Sequence, residues 1–209
     1  MKFKKALFIL LICLSIFACS KKEDKEEIID LNTYSSTELY QLGWNAFTAN
    51  DFTKAIEYFN ALNTREEAYL LGYYGLGWTF LKQYKYNNAL NEFNKFFDND
   101  TLQIYLESDS IFIDVKAGLT ITKNTFNLFD EVIQESNYIP ENWSFKYIPN
   151  LDYYDIILLK IIAEYNLELF DNALQSINII EPDFSTDVST IEGRLILLNK
   201  IELLLNLYG

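Results

Sequence analysis

The chain has 209 residues, with 30 acidic against 17 basic side chains and a formal net charge of −13. It has no histidine, and its two cysteines are Cys13 and Cys19. These counts leave neither a Ser–His or Cys–His couple nor a zinc site of the common kinds. The acidic balance also disfavours nucleic acid, because little basic surface remains to neutralise phosphates. We therefore expect no metal, no cofactor, no nucleic-acid partner and no enzyme activity.

The first residues have the pattern of a secretory signal. Lysines at three of the first five positions precede an uncharged apolar run over residues 6–18. That run is too short to cross a hydrocarbon core of about 30 Å comfortably. It ends in IFAC, residues 16–19, which resembles the lipobox of bacterial lipoproteins. The resemblance implies a signal peptide over residues 1–18 and acylation of Cys19; an ordinary signal peptide or an uncleaved anchor is the alternative.

The segment after Cys19 is predicted to be a flexible tether over residues 19–34. Its start, SKKEDKEE, carries no apolar side chain that could offset the entropy of ordering it. Removal of residues 1–18 takes away three lysines and no acid, which changes the net charge from −13 to −16. The lipoprotein resemblance implies a bacterial envelope location with the lipid as the only membrane contact. Ser20 is not the aspartate that marks inner-membrane retention in some bacteria, which favours the outer membrane and leaves its side open.

The same amino-acid pattern occurs twice in residues 35–97, at an offset of 34 residues. LGWNAFTANDFTKAIEYF occupies residues 42–59, and LGWTFLKQYKYNNALNEF occupies residues 76–93. A period of this length is typical of stacked helix-turn-helix repeats. The positions that match are Leu42, Gly43, Trp44, Phe52, Ala55 and Phe59 with Leu76, Gly77, Trp78, Tyr86, Ala89 and Phe93.

Local signals place the helices of these two repeats. Ser35-x-x-Glu38 is a capping box that predicts the start of the first helix. Asn50-Asp51 predicts a turn before a helix from Phe52 to Leu62. A second box, Thr64-x-x-Glu67, predicts a third helix to about Lys82, and a fourth runs from Tyr86 to Phe97.

The pattern weakens further along the chain. Residues 110–134 and 151–181 are predicted to be two degenerate helical pairs. Residues 136–150 between them, which we name the aromatic loop, contain two of the three prolines and are predicted to be extended. A last helix over residues 188–207, capped by Ser189-x-x-Glu192, is apolar enough to be buried on more than one side and to close the stack.

The two clear repeats resemble tetratricopeptide (TPR) units at the positions that define that family. These are a Leu-Gly pair, an aromatic residue at the turn into the second helix, a small alanine and a large aromatic residue four positions on. The resemblance implies an all-α solenoid of helix-turn-helix repeats, with about four units in residues 35–209. Gly43 and Gly77 would allow close helix approach, and Phe59 and Phe93 would fill the space between units.

In TPR proteins the first helix of each unit lines a concave groove that binds peptides. The positions that face the groove stand three before, one after and four after the glycine. The resemblance thus implies a partner-binding surface that we name the aromatic face. A covered core is the alternative, because aromatic residues at helical spacing often serve packing. The aromatic face comprises Tyr40, Trp44, Phe47, Tyr74, Trp78 and Leu81.

Three functions from different classes remain open at this point. The first is a non-enzymatic, lipid-anchored scaffold that recruits another envelope protein or peptide, as TPR lipoproteins do in envelope assembly machines. The second is a ligand-binding lipoprotein that captures glycan or peptide on the aromatic loop through Trp143, Phe145 and Tyr147. The third is an enzyme, for which the candidate carboxylates are Glu131, Glu135 and Asp152, which flank the loop. These carboxylates do not stand out from an acidic surface, so the sequence favours the scaffold.

Overall fold

The computed structural model describes residues 30–100 and 109–208. The predicted signal peptide, Cys19 and the predicted tether up to residue 29 lie outside the described residues. Within the described ranges there are nine α-helices, and the only β-type pairing is an isolated bridge between Ser144 and Asp152. The helices are α1 Ser36–Thr48, α2 Phe52–Asn63, α3 Tyr69–Lys82, α4 Tyr86–Asn99, α5 Ser110–Thr125, α6 Phe129–Ser136, α7 Tyr153–Asn166, α8 Phe170–Ile180 and α9 Ile191–Tyr208.

The helices pack as a chain of antiparallel pairs. Each helix contacts its neighbours in sequence, and the first helices of adjacent pairs (α1, α3, α5, α7 and then α9) also contact one another. Each unit therefore packs on the next unit rather than around one central core. The predicted all-α helical-repeat solenoid of four units and a terminal helix is confirmed.

One turn conformation occurs in all four described pairs. The residue between the two helices has a positive φ of 57° to 60° at Asn50, Tyr84, Asn127 and Glu168. In each turn the N–H of the next residue donates to the carbonyl five positions earlier, as in Asp51 to Ala46 and in three further examples. This is the hydrogen bond of a Schellman helix end. The shared turn shows that the degenerate pairs repeat the architecture of the first two.

Two phenylalanine side chains join the first three units. A Cβ added to Gly43 or Gly75 would lie 2.5 Å or 2.3 Å from the ring of Phe59. A Cβ added to Gly77 or to Gly118 would likewise lie 2.4 Å from the ring of Phe93. Each ring therefore occupies space that a side chain would take on a first helix of its own unit and of the next. The predicted roles of Gly43, Gly77 and the two phenylalanines are confirmed.

One predicted helix start in the clear repeats is right and one is wrong. The capping box at Ser35 is confirmed, since the Glu38 N–H donates to Ser35 Oγ and the Ser35 N–H donates to Glu38 Oε2. The box at Thr64 is wrong, because Thr64 ends α2 and its hydroxyl donates to a carbonyl of that helix. Glu67 instead accepts a hydrogen bond from Ser36 and lies in a turn over residues 66–68, before α3 begins at Tyr69.

The terminal helix α9 is covered on one side only. Its N-terminus is capped by Thr190 rather than Ser189, because the N–H of Gly193 donates to Thr190 Oγ1 at 3.0 Å. The prediction of burial on more than one side is wrong, because α9 packs on α7 and α8 as the first helix of a further unit would, and the described chain supplies no second helix for it. Its buried residues include Leu197, Ile201 and Leu204, whereas the exposed apolar ones are Ile191, Leu195, Ile196, Leu203, Leu205, Leu207 and Tyr208.

The repeated turn predicts a stabilising substitution. Glu168 is exposed and has a φ of 59°, which costs a residue with a Cβ roughly 1 kcal/mol that glycine avoids. We expect Glu168→Gly to raise the free energy of unfolding by about 1 kcal/mol in a urea titration. Asn166→Gly, two residues earlier in α7, is the control and should lower it by up to about 1 kcal/mol. Destabilisation by both variants would contradict the proposed role of the turn.

Candidate functional site

The aromatic face lies inside the fold. The exposed fraction is 2% for Trp44, 1% for Tyr74 and 0% for Trp78, and Phe47 and Leu81 are also buried. Tyr40 is half-buried. The positions fall on α1 and α3, whose contact brings the two sets together as the repeat pattern predicts. Of the two alternatives open from sequence, an exposed groove and a covered surface, the structure has the covered one.

The aromatic loop is the segment that covers the face. It returns on itself between α6 and α7 through hydrogen bonds from the Phe145 N–H to the Leu151 carbonyl, 2.8 Å, and from the Tyr153 N–H to the Trp143 carbonyl, 3.1 Å. The backbone is extended only around Ser144, which pairs with Asp152 in an isolated β-bridge. Turns follow, since the Ile148 N–H donates to the Phe145 carbonyl and the Leu151 N–H donates to the Ile148 carbonyl. The predicted extended conformation of residues 136–150 is therefore wrong for most of the loop. Trp143 and Phe145 are buried, while Ser144 and Lys146 between and after them are exposed.

Loop and face meet by ring stacking. The rings of Tyr147 and Trp44 are parallel within 3° with centroids 3.8 Å apart. Those of Phe145 and Trp78 are within 16°, also at 3.8 Å. The two sets of residues that the sequence offered as separate binding sites therefore lie against each other. In this arrangement a tryptophan covers one ring face of Phe145 and one ring face of Tyr147.

The far end of the aromatic face does not take part in these contacts with the loop. Phe47 packs edge-on against Trp44 and Phe52. The ammonium of Lys82 stands 4.5 Å from the centre of the Phe47 ring. This end serves packing between α1, α2 and α3.

Asp114 on α5 ties the loop to the face. Its Oδ2 accepts a hydrogen bond of 2.7 Å from the Tyr74 hydroxyl, and its Oδ1 accepts one of 2.8 Å from the Trp143 indole N–H. Sequence reasoning missed this residue. The available signal was that Asp114 is the one charged side chain in the apolar run IFIDV, residues 111–115.

Burial governs the ionisation of these groups. It raises the pKa of Asp114 above its ordinary value, while the hydrogen bonds from Tyr74 and Trp143 act in the opposite direction. The pKa of Tyr74 is raised well above its usual range, first by burial and then by the negative charge of Asp114. Burial and the neighbouring Tyr147 likewise raise the pKa of Tyr40. Both phenols therefore stay protonated near neutral pH and can act as hydrogen-bond donors.

A cavity of about 510 Å³ lies beside Asp114. Four aromatic side chains from both parts of the site line it, together with the Asp114 carboxylate. It reaches solvent through the exposed residues Ser110, Asn142, Ser144 and Lys146. We name it the Asp114 cavity; its aromatic lining is Tyr40, Tyr74, Trp143 and Tyr147.

The carboxylates near the loop that the sequence offered for catalysis have structural partners. Glu135 pairs with Lys116 at 2.7 Å and with Lys123 at 2.6 Å, and Glu131 pairs with Lys123 at 2.9 Å. Asp152 caps the N-terminus of α7. Among the residues searched, those that the structure describes, no group of His, Cys, Asp or Glu could hold a metal ion, and no helix is long and apolar enough to span a membrane.

Comparison with known proteins gives no relative. The chain matches no protein-family model, no curated protein and no solved structure.

The pKa of Asp114 predicts a pH-dependent difference in stability. Because the folded state raises this pKa, it binds the proton more tightly than the unfolded state, so protonation favours folding. The free energy of unfolding of the wild type minus that of Asp114→Asn should therefore fall as the pH rises from about 4 towards 7. Urea titrations at a series of pH values measure this difference.

Asp187 supplies a control of opposite sign. Hydrogen bonds from Ser189 lower the pKa of this exposed carboxyl, so its contribution is lost as the pH falls. The free energy of unfolding of the wild type minus that of Asp187→Asn should therefore rise with pH. A pH-independent difference for Asp114→Asn would show that the folded state does not perturb that carboxyl.

Proposed function

We propose that this chain is a non-catalytic scaffold, anchored in the bacterial envelope through a lipid on Cys19, that binds a segment of another envelope protein on its aromatic face. The resemblance of the repeats and of the IFAC sequence to TPR lipoproteins supports the anchor and the kind of activity. One observation carries the partner-binding part. The aromatic face already holds a peptide segment, the chain's own loop, by stacking two rings that are two residues apart on one turn.

The loop indicates the chemistry of the partner. A segment that carries two aromatic side chains two residues apart on a turn would reproduce the contacts of Phe145 with Trp78 and of Tyr147 with Trp44. Stacked aromatic pairs contribute about 0.5–1.5 kcal/mol each beyond the area that they bury. The buried indole N–H of Trp78 has no hydrogen-bond partner in the described structure. An unpaired buried N–H costs about 1–3 kcal/mol, and the loop does not satisfy this one. A partner that placed a carbonyl beside the indole would remove that cost.

The partner must compete with the loop. A tethered segment acts at an effective concentration that reaches the millimolar range for short connections. The apparent affinity for a partner is reduced by the fraction of molecules whose face is uncovered. Weakening the loop should therefore strengthen partner binding, whereas removing the face should abolish it.

A peptide copied from the loop tests this competition. We would measure binding of labelled IPENWSFKYI, residues 139–148, by fluorescence anisotropy to the full chain in detergent. The loop-released variant Phe145→Ser/Tyr147→Ser should bind it about 5- to 150-fold more tightly than the wild type, since stacking of two rings, about 1–3 kcal/mol in total, no longer opposes the peptide.

The controls change one partner at a time. The peptide IPENWSSKSI, which lacks both stacking rings, should not bind the loop-released variant. Adding Trp44→Ala to that variant should abolish binding of the original peptide while circular dichroism still shows a helical melt. Equal binding of the two peptides, or unchanged binding without Trp44, would reject the aromatic face as a peptide site.

The anchor is tested separately. Cys19→Ser should abolish metabolic labelling with an alkyne fatty acid and release the protein from the membrane fraction. Cys13→Ser is a matched control, because Cys13 lies in the segment that cleavage would remove, and it should label as the wild type does. Persistent labelling of Cys19→Ser would contradict lipidation at that residue.

A further inference from the structure

The half-buried carboxylate of Asp114 differs from the acidic side chains that are buried in the fold. Glu92, Glu135 and Glu164 each have a lysine ammonium within 4.0 Å. Within residues 30–100 and 109–208, no lysine or arginine forms an ion pair with Asp114. Its hydrogen-bond donors are the neutral Tyr74 hydroxyl and Trp143 indole. Asp114 is half-buried, and a partly desolvated anion without a counter-ion is costly, so a cation that entered the cavity would be stabilised there.

The walls of the Asp114 cavity suit a cation of a particular kind. Four aromatic side chains line it, and the face of an aromatic ring attracts an ammonium within about 6 Å. The rim already shows this attraction, since the ammonium of Lys146 stands 5.3 Å from the centre of the Tyr147 ring. Calcium and magnesium require about six oxygen ligands and favour several carboxylates, whereas Asp114 is the one carboxylate that lines this cavity. An organic ammonium therefore fits better than a metal ion.

The volume of the cavity and the net charge of the protein agree with a small cationic ligand. A volume of about 510 Å³ falls within the range of about 300–1,000 Å³ that small-molecule sites occupy. The net charge of −13 attracts cations to the molecule. Access requires no displacement of the loop, because exposed residues form the rim.

We propose that the Asp114 cavity binds a small organic ammonium ion, with Asp114 as its counter-ion and with Tyr40, Tyr74, Trp143 and Tyr147 as its aromatic walls. A primary ammonium donates hydrogen bonds to the carboxylate oxygens, and its alkyl part lies against the rings. This site does not depend on the aromatic face binding a partner protein, because the loop that covers the face also completes the cavity.

The first experiment compares two ligands of similar shape and different charge. The full chain in detergent is titrated with n-butylammonium chloride and with n-butanol, with sodium chloride added to hold the ionic strength constant, and tryptophan fluorescence is followed. The ammonium should bind at least about tenfold more tightly than the alcohol, because hydrogen bonds to a charged partner contribute about 1.5–3 kcal/mol. Equal affinities, or no saturable response to the ammonium, would overturn the proposal.

The second experiment locates the site. Asp114→Asn should weaken n-butylammonium binding about tenfold or more and remove the preference over n-butanol. Glu141→Gln makes the same change in net charge at an exposed position of the aromatic loop and should leave both affinities unchanged. Equal effects of the two substitutions would place the ammonium elsewhere and reject Asp114 as the counter-ion. The wild-type comparison needs no variant, so it decides between cation and alcohol even if Asp114→Asn fails to fold.

Discussion

The close approach of helices at the two phenylalanine rings determines the rest of this structure. Phe59 takes the space of a side chain on Gly43 and Gly75, and Phe93 takes it on Gly77 and Gly118. Because the first helices of three units are drawn together in this way, the residues beside the glycines form one continuous surface. Trp44 and Trp78 each follow such a glycine directly, so the packing of the units also sets the distance between the two tryptophans. Phe145 and Tyr147 lie on one turn of the loop, closed by a hydrogen bond from the Ile148 N–H to the Phe145 carbonyl, and each ring reaches one tryptophan.

The local and periodic features of the fold were predictable from the sequence. The 34-residue offset, the Gly–Phe contacts and the Ser35 capping box depend on residues that are near in sequence or repeat regularly. The later units were less clear because their spacing changes: the shared turn recurs at Asn50 and Tyr84, and then at Asn127 and Glu168. Asparagine tolerates a positive φ, but tyrosine and glutamate give no such signal, so these turns are recognised only from the backbone. The capping box predicted at Thr64 was wrong because threonine and glutamate also occur in other roles. Here Thr64 ends α2, and Glu67 accepts a hydrogen bond from Ser36 of α1.

The covering of the aromatic face was not predictable from a single sequence, for a physical reason. The composition of the loop is equally suited to stacking on a ligand, on itself or on a distant helix. Which surface the loop stacks on depends on where α6 ends and on how α1 packs against α3. No local sequence pattern encodes either of these. Asp114 was missed for a related reason. A carboxylate in an apolar run usually lies on a solvated helix face, and here it is drawn inward only because Tyr74 and Trp143 arrive from two other parts of the chain.

The aromatic loop links the two proposed sites. Phe145 and Tyr147 cover the aromatic face, while Trp143 and Tyr147 form walls of the Asp114 cavity. A partner that displaced the loop from Trp44 and Trp78 would also take the Trp143 N–H away from Asp114 and open the cavity. An ammonium ion bound between these walls would favour the closed loop. Linkage requires these two effects to be equal, so the ligand would weaken partner binding by the same factor as the partner weakens ligand binding. The size of that factor is bounded by the free energy that holds the loop in place, because a ligand can bias the loop only through its different affinity for the closed and open states.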